Sequence, residues 1–260
     1  MRREGNGQHL FRLDSHTAVI TGASRNIGAS VATAFVDAGA DVVLVARGAE
    51  RLEATAVKLR TAHPDRRIYT HVSDISDPAA IDELVAWTHR EVGPVRVLVN
   101  NAAMLGTPGA GKAATDFSDE DWDSAFETNV KSPWRLAVGL MRSRLEAGEQ
   151  GSVINLLSGA GFLPVRNRMD YGVTKAALWT MTRYLAAEWA PYVRVNAIMP
   201  GSVNETGEPR SEEEARTLVN VPFGRMGRPD EIAGAAVYLA SPSASFTTGT
   251  VVVCNGGRPW

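Results

Sequence analysis

The stretch that most narrows the possible folds is residues 17–46. A short apolar run, Thr17–Thr21, passes straight into a turn bracketed by Gly22 and Gly28, then a segment over residues 29–39 and a second apolar run, Asp41–Ala46. Apolar positions over 29–39 recur at the 3.6-residue spacing of a helix, and Gly39 is a natural stop for it. Strand, glycine turn, helix and strand in that order make a βαβ unit. The alternation continues. Helices are expected over residues 50–62, 78–91, 119–146 and 229–239, and strands over 67–72, 95–99, 153–157, 193–199 and 249–253, with one further helix carrying Tyr171 and Lys175. Short apolar strands alternating with amphipathic helices predict a parallel sheet covered on both faces, since only a strand buried on two sides can be apolar throughout. Two stretches break the rhythm: a Gly-, Pro- and Ala-rich loop at 106–114, and residues 200–222, where a Ser-Glu-Glu-Glu cluster could cap one short helix. A long irregular segment in a compact domain is usually a lid or binding loop.

The chain has 260 residues, 44% of them hydrophobic, enough for a sizeable core and a better fit to one large α/β domain than to two small ones. We expect a flexible polar tail over residues 1–13 and a single domain over 14–260. A net charge of -2, with no basic run longer than two residues, gives no electrostatic footprint for nucleic acid. The polar N-terminal stretch and the lack of eighteen consecutive apolar residues argue against a signal peptide or membrane anchor, so a soluble cytoplasmic protein is expected. One cysteine, Cys254, leaves no internal disulfide, and the five histidines lack ligand spacing, so no metal site is expected.

Chemistry concentrates between Ser158 and Lys175. Tyr171 and Lys175 are four residues apart and would share one helical face, where an ammonium would draw the phenol pKa down from its ordinary value of about 10. Ser158 follows an apolar run, at the carboxyl end of a strand, where open α/β sheets place ligands. Taken alone, the pair could be a chance helical spacing. The turn from Gly22 to Gly28 lies between strand and helix, a context that suits phosphate binding at a helix start as well as an ordinary connection. Dinucleotide sites that take NAD carry an acidic residue about twenty positions further on. Here Ala46 stands eighteen residues after Gly28, and Arg47 follows it. Arg47 and Arg25 could face a 2'-phosphate, which favours NADP, or Arg47 could simply face solvent. Asn100 and Asn101 at a strand end, and Asn129 within a helix, are merely polar when taken singly.

Together these features resemble the short-chain dehydrogenase/reductase family, in its compact branch that includes 3-oxoacyl-carrier-protein reductases and alcohol, sugar and steroid dehydrogenases. The motifs that carry the resemblance are Thr21 to Gly28, Asn100 to Ala103, Asn129, Ser158 with Tyr171 thirteen residues later, Lys175, and the run from Val195 to Gly201. The resemblance implies a Rossmann-type doubly wound sheet of seven parallel strands with helices on both faces, nicotinamide chemistry and a homotetramer. It implies a catalytic set of Asn129, Ser158, Tyr171 and Lys175. Cofactor contacts would come from Gly22, Ser24, Arg25, Asn26, Ile27, Gly28, Arg47, Asp74, Ile75, Asn101, Ala102, Tyr171, Lys175, Pro200, Gly201 and Val203, with NADP(H) preferred and NAD(H) possible. Four positions depart from the family pattern. Asn26 and Ala103 replace glycines, Asn255 stands for an aspartate, and Glu205 occupies a threonine position, with Thr206 one place late.

By the same resemblance, Ser158 and Tyr171 bond a carbonyl oxygen while hydride reaches its carbon, and Tyr171 delivers the proton. Lys175 would lower the phenol pKa and hold the nicotinamide ribose, and Asn129 would hold a relay water. Gly161, Phe162, Leu163, residues 166–169 and residues 202–221 would wall the substrate pocket. Arg166 and Arg168 could attract an anionic substrate or be solvated charge. The partner is then a small carbonyl or alcohol substrate. An NAD-dependent alcohol or sugar dehydrogenase, and a nicotinamide-binding sensor without turnover, remain alternatives.

Overall fold

The computed structural model describes residues 7–104, 110–216 and 218–260. Residues 1–6 of the expected tail and 106–109 of the expected loop lie outside the described residues. Seven parallel strands form one sheet in the order β3-β2-β1-β4-β5-β6-β7. They are β1 (Thr17–Thr21), β2 (Asp41–Ala46), β3 (Ile68–Val72), β4 (Val97–Asn100), β5 (Gly151–Leu156), β6 (Val193–Pro200) and β7 (Val251–Cys254). The helices are α1 (Asn26–Asp37), α2 (Ala49–Ala62), α3 (Pro78–Trp87), α4 (Asp119–Phe126), α5 (Ser132–Ala147), α6 (Met169–Trp189), α7 (Glu212–Arg216) and α8 (Pro229–Ala240). None is long and apolar enough to cross a membrane among the described residues.

The expected burial on both faces is observed: every residue of β1, β4 and β5 is buried. One face packs Val31 and Phe35 of α1 with Ile232 and Ala236 of α8. The other packs Leu84 of α3, Leu136 and Leu140 of α5, and Leu185 of α6. Each such side chain contributes about 1.5–3 kcal/mol on leaving water. Chain direction across the sheet reverses between β1 and β4, which are neighbours. Loops leaving their carboxyl ends must diverge, and a crevice opens between them.

Two expectations are corrected. The tail does not reach Leu13, which is fully buried and whose N–H donates to Ala38 O at 2.8 Å. Its polar neighbours hide it in the sequence, but its side chain fills the space beside α1. The single helix expected over 119–146 is two helices joined by a π turn at Glu127–Lys131. Pro133 lacks the N–H an α-helix needs there. The Ser132 hydroxyl bonds Glu127 O, at 2.8 Å, and Ile75 O, which holds the widened turn. The Ser-Glu-Glu-Glu cluster does start a short helix, α7, with Glu214 N donating to Ser211 Oγ at 3.1 Å.

Candidate active site

The β1–α1 turn is built around a close crossing of backbone. A Cβ on Gly28 would stand 2.2 Å from Gly22 O, so α1 can begin there only with glycine. Gly22 has φ +67, and Asn26 has φ +48 in the left-handed region that asparagine tolerates better than most residues. The asparagine that replaces a family glycine therefore keeps a glycine-like backbone. Thr21, which the sequence did not single out as a site residue, ties the turn to β4. Its hydroxyl accepts from Asn101 N at 3.1 Å and Ala102 N at 3.0 Å, and the Asn101 amide donates to Thr21 O at 2.9 Å.

Tyr171 lies in the first turn of α6, whose buried face runs through Tyr171, Thr174, Lys175, Leu178, Thr182 and Leu185. That face lies against β5 and β6, so Tyr171 and Lys175 are carried to the sheet's carboxyl edge. Lys175 Nζ donates to Leu156 O, at the end of β5, at 2.8 Å and lies 5.8 Å from the Tyr171 ring centroid. Ser158, two residues beyond β5, lines the same cleft as Tyr171 and accepts from Ala160 N at 3.3 Å.

Electrostatics here differ from the expectation that Lys175 lowers the Tyr171 pKa. Burial pushes the phenol above its ordinary value; the Ser158 hydrogen bond and the charge of Arg168 oppose that rise without cancelling it. Burial also drives Lys175 from 10.5 down to about 8. The ammonium donates to the Leu156 carbonyl, and burial, not the lysine charge, sets the direction of the phenol's shift.

Asn129 sits in the π turn, fully buried. Its Oδ1 accepts from Met104 N at 2.9 Å, and its Nδ2 donates to Thr174 Oγ1 at 3.1 Å. It thus fastens the chain after β4 to the tyrosine helix from one layer behind the cleft, and has no direct bond to Lys175 among the described residues.

A cleft of about 870 Å³ gathers the remaining expected residues, from Gly22, Ser24, Arg25, Asn26, Ile27 and Gly28 through Arg47, Asp74, Ile75, Asn101 and Ala102 to Ser158, Tyr171, Lys175, Pro200, Gly201 and Val203. Arg25 and Arg47 lie at the β1–β2 end, joined by Arg51 of α2, which the sequence reading missed because it reads as one more solvated helix charge. Arg47 Nη1 is 3.8 Å from Asp74 Oδ2, a loose pair with both side chains largely exposed. Such a pair is worth little and leaves the guanidinium able to turn to a stronger anion.

Among the departures, Asn255 holds its turn as an acid could, accepting from Gly257 N at 3.0 Å, and adds a donor to Arg258 O at 2.7 Å. Neither Glu205 nor Thr206 lines the cleft. The Thr206 hydroxyl bonds Asn204 Oδ1 at 3.2 Å, and buried Asn204 organises residues 204–208.

Comparison with known proteins finds relatives along nearly the whole chain. The family described as enoyl-(acyl carrier protein) reductase matches residues 22–258. An uncharacterized oxidoreductase of Mycobacterium tuberculosis is 40% identical over 252 residues, 95% of this chain and 94% of that protein. Galactitol 2-dehydrogenase of Rhizobium johnstonii is 35% identical over 257 residues, 96% of this chain and 97% of that protein. Among solved structures, a gluconate 5-dehydrogenase from Burkholderia cenocepacia in complex with NADP and tartrate superposes with a TM-score of 0.87 at 28% identity, covering 97% of this chain and 98% of that one.

Proposed function

This chain belongs to the short-chain dehydrogenase/reductase family and is an NAD(P)-dependent oxidoreductase, and from that premise we propose that it reduces a small carbonyl compound, or oxidises the matching secondary alcohol, with NADP(H) preferred. The observation that carries the reading is one cleft with Ser158, Tyr171 and Lys175 at one end and three arginines beside a glycine turn at the other. The cleft falls within the roughly 300–1,000 Å³ of small-molecule and cofactor sites. The residues fit a dinucleotide. Where a Cβ on Gly28 would strike Gly22 O, bare backbone stands at the first turn of α1, which suits a pyrophosphate. Arg25, Arg47 and Arg51 suit a 2'-phosphate.

When bound, the nicotinamide supplies or accepts the hydride. The chain's own part is positioning and proton transfer. Ser158 and Tyr171 donate to the substrate oxygen, where charge builds as the carbonyl is reduced. A phenol held above its ordinary pKa stays protonated at neutral pH, and so Tyr171 Oη can donate the proton, which suits reduction. Lys175 anchors the tyrosine helix to β5 and presents its ammonium beside the phenol. Asn129 holds the wall opposite. Residues 14–260 are read as one cofactor-binding domain, with Leu13 packed beneath it. We read the assembly as a homotetramer, in support of which Trp134, Val173 and Tyr184 of α5 and α6 leave large apolar surfaces exposed. A cytoplasmic setting suits a chain whose single cysteine asks for no disulfide.

Titration with NADPH and NADH, followed by energy transfer from tryptophan, tests the cofactor assignment. At least tenfold tighter NADPH binding is expected, lost in Arg47→Asp; equal binding, unchanged by Arg47→Asp, would favour an NAD-dependent enzyme in which Asp74 occupies Arg47. Tyr171→Phe should abolish turnover while nucleotide affinity stays nearly the same. Retained turnover would remove Tyr171 from the mechanism.

A further inference from the structure

Beside the cleft lies a second cavity of about 730 Å³, and Gly201 lines both. One wall is the segment after β6 and the other is residues 253–260. These two walls touch: a Cβ on Gly256 would stand 2.8 Å from Val221 Cγ1, and one on Gly257 3.1 Å from Pro222 Cγ. Trp260 closes a further side, its ring edge-on to Phe162 with centroids 5.1 Å apart. Phe162 ends the short turn that Ser158 begins, so this cavity borders the substrate end of the cleft.

Its walls are mainly hydrocarbon: Leu218, Val221, Phe223, Met226, Val253 and Trp260. The polar side chains among them are largely engaged already. Arg225 gives two nitrogens to the Glu231 carboxylate at 2.6 and 2.9 Å, and the Asn255 amide is spent on Arg258 O and Gly257 N. Arg258 is the charged lining residue without an ion pair among the described residues, one cation beside six apolar walls. A polyhydroxylated ligand would have to exchange water for unspent donors and acceptors at each hydroxyl, and unmet hydroxyls are costly. A hydrocarbon needs none. It would also cover Phe223 and Trp260, now 70% and 55% exposed.

We propose that this cavity receives an extended apolar body on the substrate, so that the preferred class is a ketone or secondary alcohol bearing a hydrocarbon chain or ring system rather than a sugar. The proposal rests on the oxidoreductase reading above. Phe223 and Trp260 then act as specificity residues that touch the substrate away from the reacting carbon.

The test is a series of methyl ketones from butanone to decanone, with fructose and tagatose as polar comparisons, assayed with NADPH alongside direct NADPH binding. We expect kcat/KM to rise about two- to fourfold per added methylene, the usual gain for a buried CH₂, with both ketoses below the long ketones. Phe223→Ser, at an exposed position that should not threaten folding, and Trp260→Ala should flatten that rise with ketone length. Turnover of ketoses with no dependence on ketone length, a slope unchanged in both variants, or NADPH binding without reduction of any ketone would each overturn the apolar body and leave the cofactor assignment standing. Failure to bind NADPH together with failure to reduce any compound would overturn the underlying oxidoreductase reading, and this proposal with it.

Discussion

Lys175 and Tyr171 meet the same low-polarity surroundings and respond in opposite directions, because burial always disfavours the charged form. For Lys175 the folded pKa of about 8 lies below the ordinary 10.5, so the folded chain holds the proton less tightly than the unfolded one. Its adverse contribution is greatest below about pH 8 and fades as pH rises toward about 10.5, with a ceiling on the order of 3 kcal/mol. Lys175→Met should therefore unfold at higher urea than the parent at pH 7, with the gap closing by about pH 10. A gap independent of pH would mean that the buried ammonium is not what titrates. At the other end of the cleft, Gly28→Ala sets a methyl group against Gly22 O. The turn must open, at about 1–3 kcal/mol, and nucleotide affinity should fall at least tenfold. Unaltered affinity by titration would show that the crossing can relax.

Elements place these side chains, and they differ in how plainly the sequence announces them. The turn before α1 and the Tyr171–Lys175 pair were legible because both depend on local spacing: a glycine where backbone crosses backbone, and a four-residue interval along one helix face. The π turn was not. One extra residue in a long amphipathic segment barely disturbs its apolar recurrence, yet it shifts everything beyond it by about 100° around the axis. Asn129 sits inside that widened turn, buried and bonded to Met104 and Thr174. Deleting Lys131 should restore an ordinary helix and break those bonds. We expect a folded protein by circular dichroism with turnover reduced at least a hundredfold; full activity would show the π turn to be dispensable. The direction of the Tyr171 shift was hidden for a different reason. Charge partners can be guessed from spacing, but burial at 7% exposure comes from strands far away in sequence.

Across the whole molecule, β1 and β4 set the two ends of the cleft on different halves of the chain. Ligand that bridges them should be felt globally. At about one hundred times its dissociation constant, NADPH adds about 2.7 kcal/mol to stability, a rise of roughly 5–10 °C in Tm for a domain of this size. A single unfolding transition that shifts as a unit is expected by calorimetry, and two independently moving transitions would contradict the one-domain reading. The sheet order also bears on ancestry. The arginine-bearing end is encoded in residues 22–51, and the end holding Ser158 and Tyr171, with the hydrocarbon-lined cavity beyond it, in residues 156–260. A recombination event falling between β4 and β5 could exchange one end for that of a homologue and leave the other intact, so preferences for nucleotide and for substrate are free to drift on separate evolutionary clocks.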